Sequence, residues 1–377
     1  MENINGRFWL NDFKVYYLAA QNLLDGKEVY GISFGLSSGY YKYSPFTLLL
    51  FTPFCILPYY VASIVQFILI AAASIFSIIL IVKLFEEYSL VRKFKNKSLL
   101  LIFALLCIGN HLVRELHMGN TNMILLFLMI LSVYLMSKSK FFLSGMVLAL
   151  VVLCKPYFVL LLLVLFIYRK FRILYSFMAS IIIFIIVPAI FLGFTKDFFL
   201  HKEWILAMME HNSYLNSPNT IMSIFQKFFY SGLPSYTSFI IIILVIAGYC
   251  IYAFLNKRID SKTGDPEFIK DQSLVVQFFI LLAIIPNLLI TDTEHFLLSL
   301  PLIVLVIFYL GRTKKWWAIS LFVLLMIVYG GNSTDLLGKE LSKSYEAYGL
   351  LGISNLILIC LVMWIFSSYR YESRGNI

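Results

Sequence analysis

Residues 138–172 read KSKFFLSGMVLALVVLCKPYFVLLLLVLFIYRKFR. Lys138 and Lys140 stand before the apolar run 141–168, Arg169, Lys170 and Arg172 after it, and Lys155-Pro156 interrupts it near the middle. About 20 apolar residues suffice to cross a bilayer as a helix. One crossing here would put the two basic clusters on opposite sides, against the tendency of Lys and Arg loops to stay cytoplasmic. Two short helices meeting at Lys155-Pro156 keep both clusters on one side, and proline removes a helical backbone donor at the required place. The stretch therefore predicts a broken pair of crossings.

Outward from it, apolar segments recur at 61–83, 98–113, 121–137, 173–194, 236–255, 274–290, 297–311, 316–331 and 347–366, which with the broken pair gives eleven crossings. The composition agrees. Of 377 residues, 61% are hydrophobic and 13% charged, against about 25% charged in a soluble domain. One globular core cannot hide that excess, because its surface must still be polar. The expected fold is an all-α polytopic membrane protein. The net charge of +10 is no sign of nucleic acid as a partner, since the basic residues lie in short loops between apolar runs. Residues 1–30 contain no apolar core of a cleavable signal. The five cysteines (Cys55, Cys107, Cys154, Cys250, Cys360) lie in or beside apolar runs without paired spacing, and read as buried small hydrophobes.

The positive-inside rule sets the expected orientation. With eleven crossings, 19 of the 30 Lys and Arg fall on the cytoplasmic side, whereas 13 of the 20 acids and all five histidines fall outside. Pro45 to Leu57 is apolar but short, and reads as a re-entrant or interfacial helix. Residues 1–60 then form an extracytoplasmic segment before a transmembrane bundle over 61–377. No helix precedes that segment to carry it across, so the expectation is a missing first helix, with a native N-out chain as the alternative.

Two external elements stand out. In residues 12–25, Phe13, Tyr16, Tyr17, Ala20 and Leu24 form one apolar stripe, predicting a helix flat on the membrane surface. Asn11 or Asp12 caps its start and Asp25-Gly26 ends it. The longest loop, 195–235, carries Phe198, Phe199, Trp204, His211, Asn212, Asn216, Ser217, Asn219 and Thr220. Loops of this length without structure are uncommon unless functional. Aromatics with amides suit a sugar, but composition alone favours an interfacial belt.

Asp12 is the most informative carboxylate, although a helix cap explains it as well. Lys155 is the most informative cation. An unpaired lysine in hydrocarbon costs roughly 2.5–3.5 kcal/mol, so it is expected to face a cavity and bind an anion unless it snorkels to the surface. Arg114, Glu115 and His117 precede Gly119-Asn120-Thr121-Asn122, while Asp292, Glu294 and His295 head a later span. No histidine spacing resembles a zinc motif, and no metal or other cofactor is expected.

The series Asp12-Phe13-Lys14-Val15-Tyr16-Tyr17, Leu24-Asp25-Gly26, Tyr41-Lys42-Tyr43-Ser44-Pro45, Gly119-Asn120-Thr121-Asn122, Lys155-Pro156, the amide-rich 212–220 and Glu294-His295 resembles glycosyltransferase family 87 of the GT-C superfamily. The resemblance runs over nearly the whole chain. It departs at the front, where the family has a membrane helix before the Asp-Phe motif and only eleven residues stand here.

The resemblance implies an inverting transferase. It would move a sugar, mannose or another hexose, from a polyprenyl-phosphate donor to the hydroxyl of a glycolipid, polysaccharide or other acceptor. Asp12 takes the part of general base. Lys155, then Arg114, His117 and His295, are the candidates for the donor phosphate. Tyr43, Asn122, Asn216 and Asn219 are the candidates for substrate binding. A polyprenyl tail stays in the membrane lipid, which implies an integral protein of a bacterial plasma membrane with an extracytoplasmic site. The rival readings are a secondary transporter or lipid-linked sugar flippase, which would spread charge through the spans, and a non-catalytic assembly factor.

Overall fold

The computed structural model describes residues 10–35, 39–88, 90, 97–211, 217–229, 236–262, 267–289 and 292–374. Helix α1 (Asn11–Leu24) and helix α2 (Pro45–Phe51), continued by a 3-10 turn over Thr52–Ile56, precede the long α3 (Tyr59–Glu87). Next come α4 (Lys97–Cys107), α5 (Gly109–Met118), α6 (Asn122–Ser137) and α7 (Phe141–Cys154). A 3-10 stretch, Pro156–Leu161, leads to α8 (Leu162–Ile167), α9 (Phe171–Leu192), α10 (Phe194–His211) and α11 (Ile221–Phe228). The chain continues with α12 (Tyr236–Lys262), α13 (Glu267–Leu288), a 3-10 turn over Thr293–Ser299, α14 (Leu300–Thr313), α15 (Trp316–Gly330), α16 (Thr334–Ala347) and α17 (Leu350–Arg374).

The protein is an all-α polytopic membrane protein. Each apolar segment marked in the sequence falls on a helix or a bent helix pair. Among the described residues, five helices are long and apolar enough to cross a bilayer alone: Tyr59–Glu87, Phe171–Leu192, Tyr236–Arg258, Thr293–Thr313 and Leu350–Ser367. The segment 98–113 is not one straight rod. It bends by 73° between Ser98–Cys107 and Gly109–Met118. The break at Lys155-Pro156 is present: α7 stops at Cys154, and Lys155 is extended (φ −137°, ψ 97°).

Four local expectations are corrected. Helix α1 does not present a single stripe, because Phe13, Val15, Tyr16, Tyr17, Ala19, Ala20 and Leu23 are all buried. Leu24, assigned to the stripe, is 62% exposed. Protein thus covers most of the circumference of α1, where the pattern predicted a surface helix. Its N-cap is Leu10, in the left-handed region (φ 40°), so Asn11 and Asp12 stand inside the first turn. The 195–235 stretch is largely helical, holding α10 and α11, in place of one long loop. Finally, the cysteines are free, as read, but of the five only Cys154 is buried: Cys55, Cys107 and Cys250 are half-buried and Cys360 is exposed.

The chain folds as two compact units. The first comprises Met1–Ser77, Val113–Val159 and Lys170–Leu215. Around α1 it packs aromatic rings closely: Tyr16 lies 4.9 Å from Phe51 and 5.0 Å from Tyr43, and Phe13 meets Phe54 edge-on at 5.2 Å. Phe46 of α2 stacks on Phe184 of α9 at 4.4 Å. Helices α6 and α7 are clamped by Ser132 and Ser144, whose hydroxyls each donate to the other's carbonyl at 3.0 and 2.9 Å. Between α7 and α9 the contact is backbone to backbone. A Cβ at Gly145 would lie 2.6 Å from the Ile173 carbonyl oxygen, and such small-residue contacts hold helices together where apolar burial gives no driving force.

The second unit comprises Ile78–Leu112, Leu160–Arg169 and Asn216–Ile377. An amide network runs through it. Ser299 donates to Asn355 Oδ1 at 2.6 Å, and Asn355 Nδ2 donates to Asn287 Oδ1 at 2.6 Å. Asn287 Nδ2 in turn donates to the carbonyls of Asn219 and Gly352, both at 3.0 Å. His111, fully buried, contacts the Tyr329 carbonyl at 2.9 Å.

Candidate active site

The first unit holds its polar groups around the turn Gly119-Asn120-Thr121-Asn122, between α5 and α6. Gly119 has φ +68°, and a Cβ there would lie 2.8 Å from Phe13 Cβ and 3.0 Å from Leu10. Only glycine fits both the conformation and the space. The turn is pinned to α1 and α3. Leu10 N donates to the His117 carbonyl at 3.0 Å, Tyr59 donates to the Leu10 carbonyl at 3.2 Å, and Gln66 Nε2 donates to the Gly119 carbonyl at 3.1 Å.

Asn120 reaches Asp12 from this turn: its Nδ2 donates to Asp12 Oδ2 at 2.8 Å. Its Oδ1 accepts from Thr121 N at 2.7 Å, Tyr16 OH at 3.2 Å and Tyr43 OH at 3.4 Å. The Tyr43 hydroxyl also pairs with Tyr16 and Thr121, both at 2.9 Å. Burial pushes both phenols above their ordinary range. The neighbouring Tyr43 and Asp12 add to this at Tyr16, while hydrogen bonds from Thr121 and Tyr16 oppose it at Tyr43. Both tyrosines therefore stay neutral near pH 7. Asp12 itself is half-buried on the first turn of α1, where the helix dipole favours a carboxylate.

Two residues further on, Asn122 serves a second pair. Lys155 Nζ donates to Asn122 Oδ1 at 2.5 Å, and Asn122 Nδ2 donates to Glu115 Oε2 at 2.9 Å. Glu115 Oε1 accepts from Met123 N at 3.0 Å. Thr121, the N-cap of α6, supplies no side-chain cap, so Glu115 of α5 satisfies one of the orphan donors there. Lys155 is 8% exposed and Glu115 fully buried. The lysine thus has a carboxylate one amide away, the kind of compensation a buried cation requires. It does not snorkel to the surface.

The other candidates divide as follows. Tyr43 belongs to this cluster, its hydroxyl engaged by protein groups. Arg114 is exposed and His117 half-buried on α5. His295 is buried in the second unit, its Nδ1 3.2 Å from the Asp292 carbonyl. Asn219 is also in the second unit, where its Oδ1 accepts from Gly352 N at 3.1 Å. Asn216 lies outside the described residues. Of the aromatics in 195–235, Phe198 and Phe199 are exposed, whereas Trp204 is half-buried and donates to the Lys42 carbonyl at 3.0 Å. Sequence reasoning assigns no functional role to Asn120, Thr121, Tyr16 or Glu115, although the first three stand in the motifs quoted above and Glu115 lies beside Arg114.

A half-buried carboxylate steered by an amide is suited to taking a proton from a hydroxyl, and a buried ammonium to stabilising an anion. The model of glycosyltransferase family 87 matches residues 41–286. The chain belongs to glycosyltransferase family 87. It is a membrane glycosyltransferase. The residues matched to family 87 include Tyr43, Asn120, Asn122, Lys155, Asn216 and Asn219, while Asp12 and His295 lie outside them. No curated protein matches the chain.

Proposed function

We propose that this transferase takes its sugar, mannose or another hexose, from a polyprenyl-phosphate donor and passes it to an acceptor hydroxyl on the extracytoplasmic side of a bacterial plasma membrane, with inversion. Asp12 accepts the hydroxyl proton. The freed oxygen attacks the anomeric carbon, the bond from that carbon to the phosphate oxygen breaks, and polyprenyl phosphate leaves with the electron pair. Lys155 offsets the charge that grows on the leaving phosphate. The observation that carries this reading is the turn at 119–122, which holds a carboxylate through Asn120 and an ammonium through Asn122. Base and leaving group of a single displacement require such a pair held at fixed separation. A general base contributes typically 10²–10⁴-fold, and positioning and charge stabilisation supply the rest.

A bilayer-soluble donor suits a transferase whose helices lie in the same lipid, and an extracytoplasmic site needs a lipid-linked sugar because nucleotide sugars stay in the cytoplasm. The acceptor is a glycolipid, a polysaccharide or another hydroxyl-bearing molecule. The test is a membrane assay with several radiolabelled polyprenyl-phosphate sugars and product analysis. Transfer to a hydroxyl acceptor is expected. Movement of the intact lipid-linked sugar between leaflets without transfer would favour a flippase and end the proposal.

A further inference from the structure

We infer that Asn120 is a positioning residue of Asp12: its amide holds the carboxylate in the orientation from which it takes the acceptor proton. The inference rests on the proposed role of Asp12 as base and goes beyond it by naming what holds that base in place.

The argument begins with the surroundings of the amide. Asn120 Oδ1 faces three donors, namely the Thr121 N–H, the Tyr16 hydroxyl and the Tyr43 hydroxyl, at 2.7, 3.2 and 3.4 Å. A backbone N–H can only donate, so an NH2 group turned to this side would oppose it and leave buried donors unmatched. The carbonyl end is therefore fixed toward the tyrosines, and the NH2 end toward Asp12 Oδ2 at 2.8 Å. The amide is itself only 6% exposed, and the turn that carries it is held by Gln66 and by the close packing of Gly119 on Phe13.

Two further groups feel the same carboxylate: Tyr16, on its own helix, and Tyr43, which lies before α2. Asp12 and Glu115 both act on Tyr16, so the carboxylate shares its field with a second acid. In that setting a neutral donor and a carboxylate at position 120 are not equivalent. Two carboxyl groups at hydrogen-bond distance do not both ionise in the same pH range.

Asn120→Ala and Asn120→Asp test this beside Asp12→Asn, in purified full-length enzyme with a polyprenyl-phosphate sugar donor. Thermal unfolding in detergent provides the control for folding. For Asn120→Ala the expected result is a fall in kcat of about ten- to hundred-fold, the worth of a hydrogen bond to a charged group, with donor KM within about twofold. For Asn120→Asp the acid limb of the pH–rate profile moves up by about one pH unit or more. If Asn120→Asp fails to fold, Asn120→Ser, which keeps a short donor, takes its place and is expected to retain more kcat than Asn120→Ala. Wild-type turnover in Asn120→Ala beside an inactive Asp12→Asn overturns the positioning role alone. An active Asp12→Asn instead removes the base on which it rests.

Discussion

Glu115 and Lys155 share one amide: Asn122 gives its Nδ2 to the carboxylate at 2.9 Å and takes the ammonium on Oδ1 at 2.5 Å. The carboxylate also receives Met123 N, so both its oxygens face N–H donors. Glu115→Gln must then turn its own NH2 toward one of them. The expected cost is about 1–3 kcal/mol, the penalty of a buried unmatched donor. Thermal unfolding in detergent measures it, and an unchanged midpoint would show that Glu115 adds nothing to the first unit.

Lys155→Met keeps most of the alkyl length and removes the charge. Its expected effect is a drop in kcat/KM for a polyprenyl-phosphate donor of about tenfold or more, as a lost charge-assisted contact predicts. Kinetics identical to wild type would make this lysine purely structural. Asp12→Asn is expected to abolish transfer while leaving the unfolding midpoint close to wild type.

Glycines provide a graded series. Gly119→Ala meets both a positive φ and Phe13 Cβ at 2.8 Å, so it must displace α1 or the turn, with transfer falling alongside stability. Gly26 has φ +72° but open space around it; Gly26→Ala should cost about 1 kcal/mol and spare turnover. Gly352→Ala would bring a Cβ within 2.2 Å of the Asn219 carbonyl oxygen, and should destabilise the second unit. Side-by-side unfolding and transfer assays separate the three.

The tyrosine pair gives a pH signature. Burial raises both phenols in the folded protein, so their stabilising effect is complete below the unfolded value of about 10 and is lost as pH rises above it. Unfolding midpoints followed from pH 8 to pH 11 should fall at the alkaline end. A Tyr16→Phe, Tyr43→Phe double variant, unable to ionise there, should fall less steeply from a lower starting point.

Hydropathy made the membrane helices legible, because apolar segments of that length have no other solvent. Lys155-Pro156 was legible for a similar reason: a charge and a proline within an apolar run mark a break. The helix at Asn11–Leu24 could be read from its period, but not its burial. Periodicity identifies one apolar face and is silent on what covers the others, which is why it places Leu24 on the same stripe as Phe13 and Tyr16. The link from Asp12 to Asn120 spans 108 positions, and no local pattern encodes a contact of that range. Glu115 was passed over beside Arg114 and His117, since its partners become visible only when α5 folds back on the start of α6.

Asn120 and Asn122 are separated by a single residue at the entrance of a helix, where each added residue turns the chain by about 100°. Inserting one residue between them would preserve every side chain around the turn and still swing one amide away from its client. The register of these few atoms, more than the identity of any single group, sets the gap between the Asp12 carboxylate and the Lys155 ammonium.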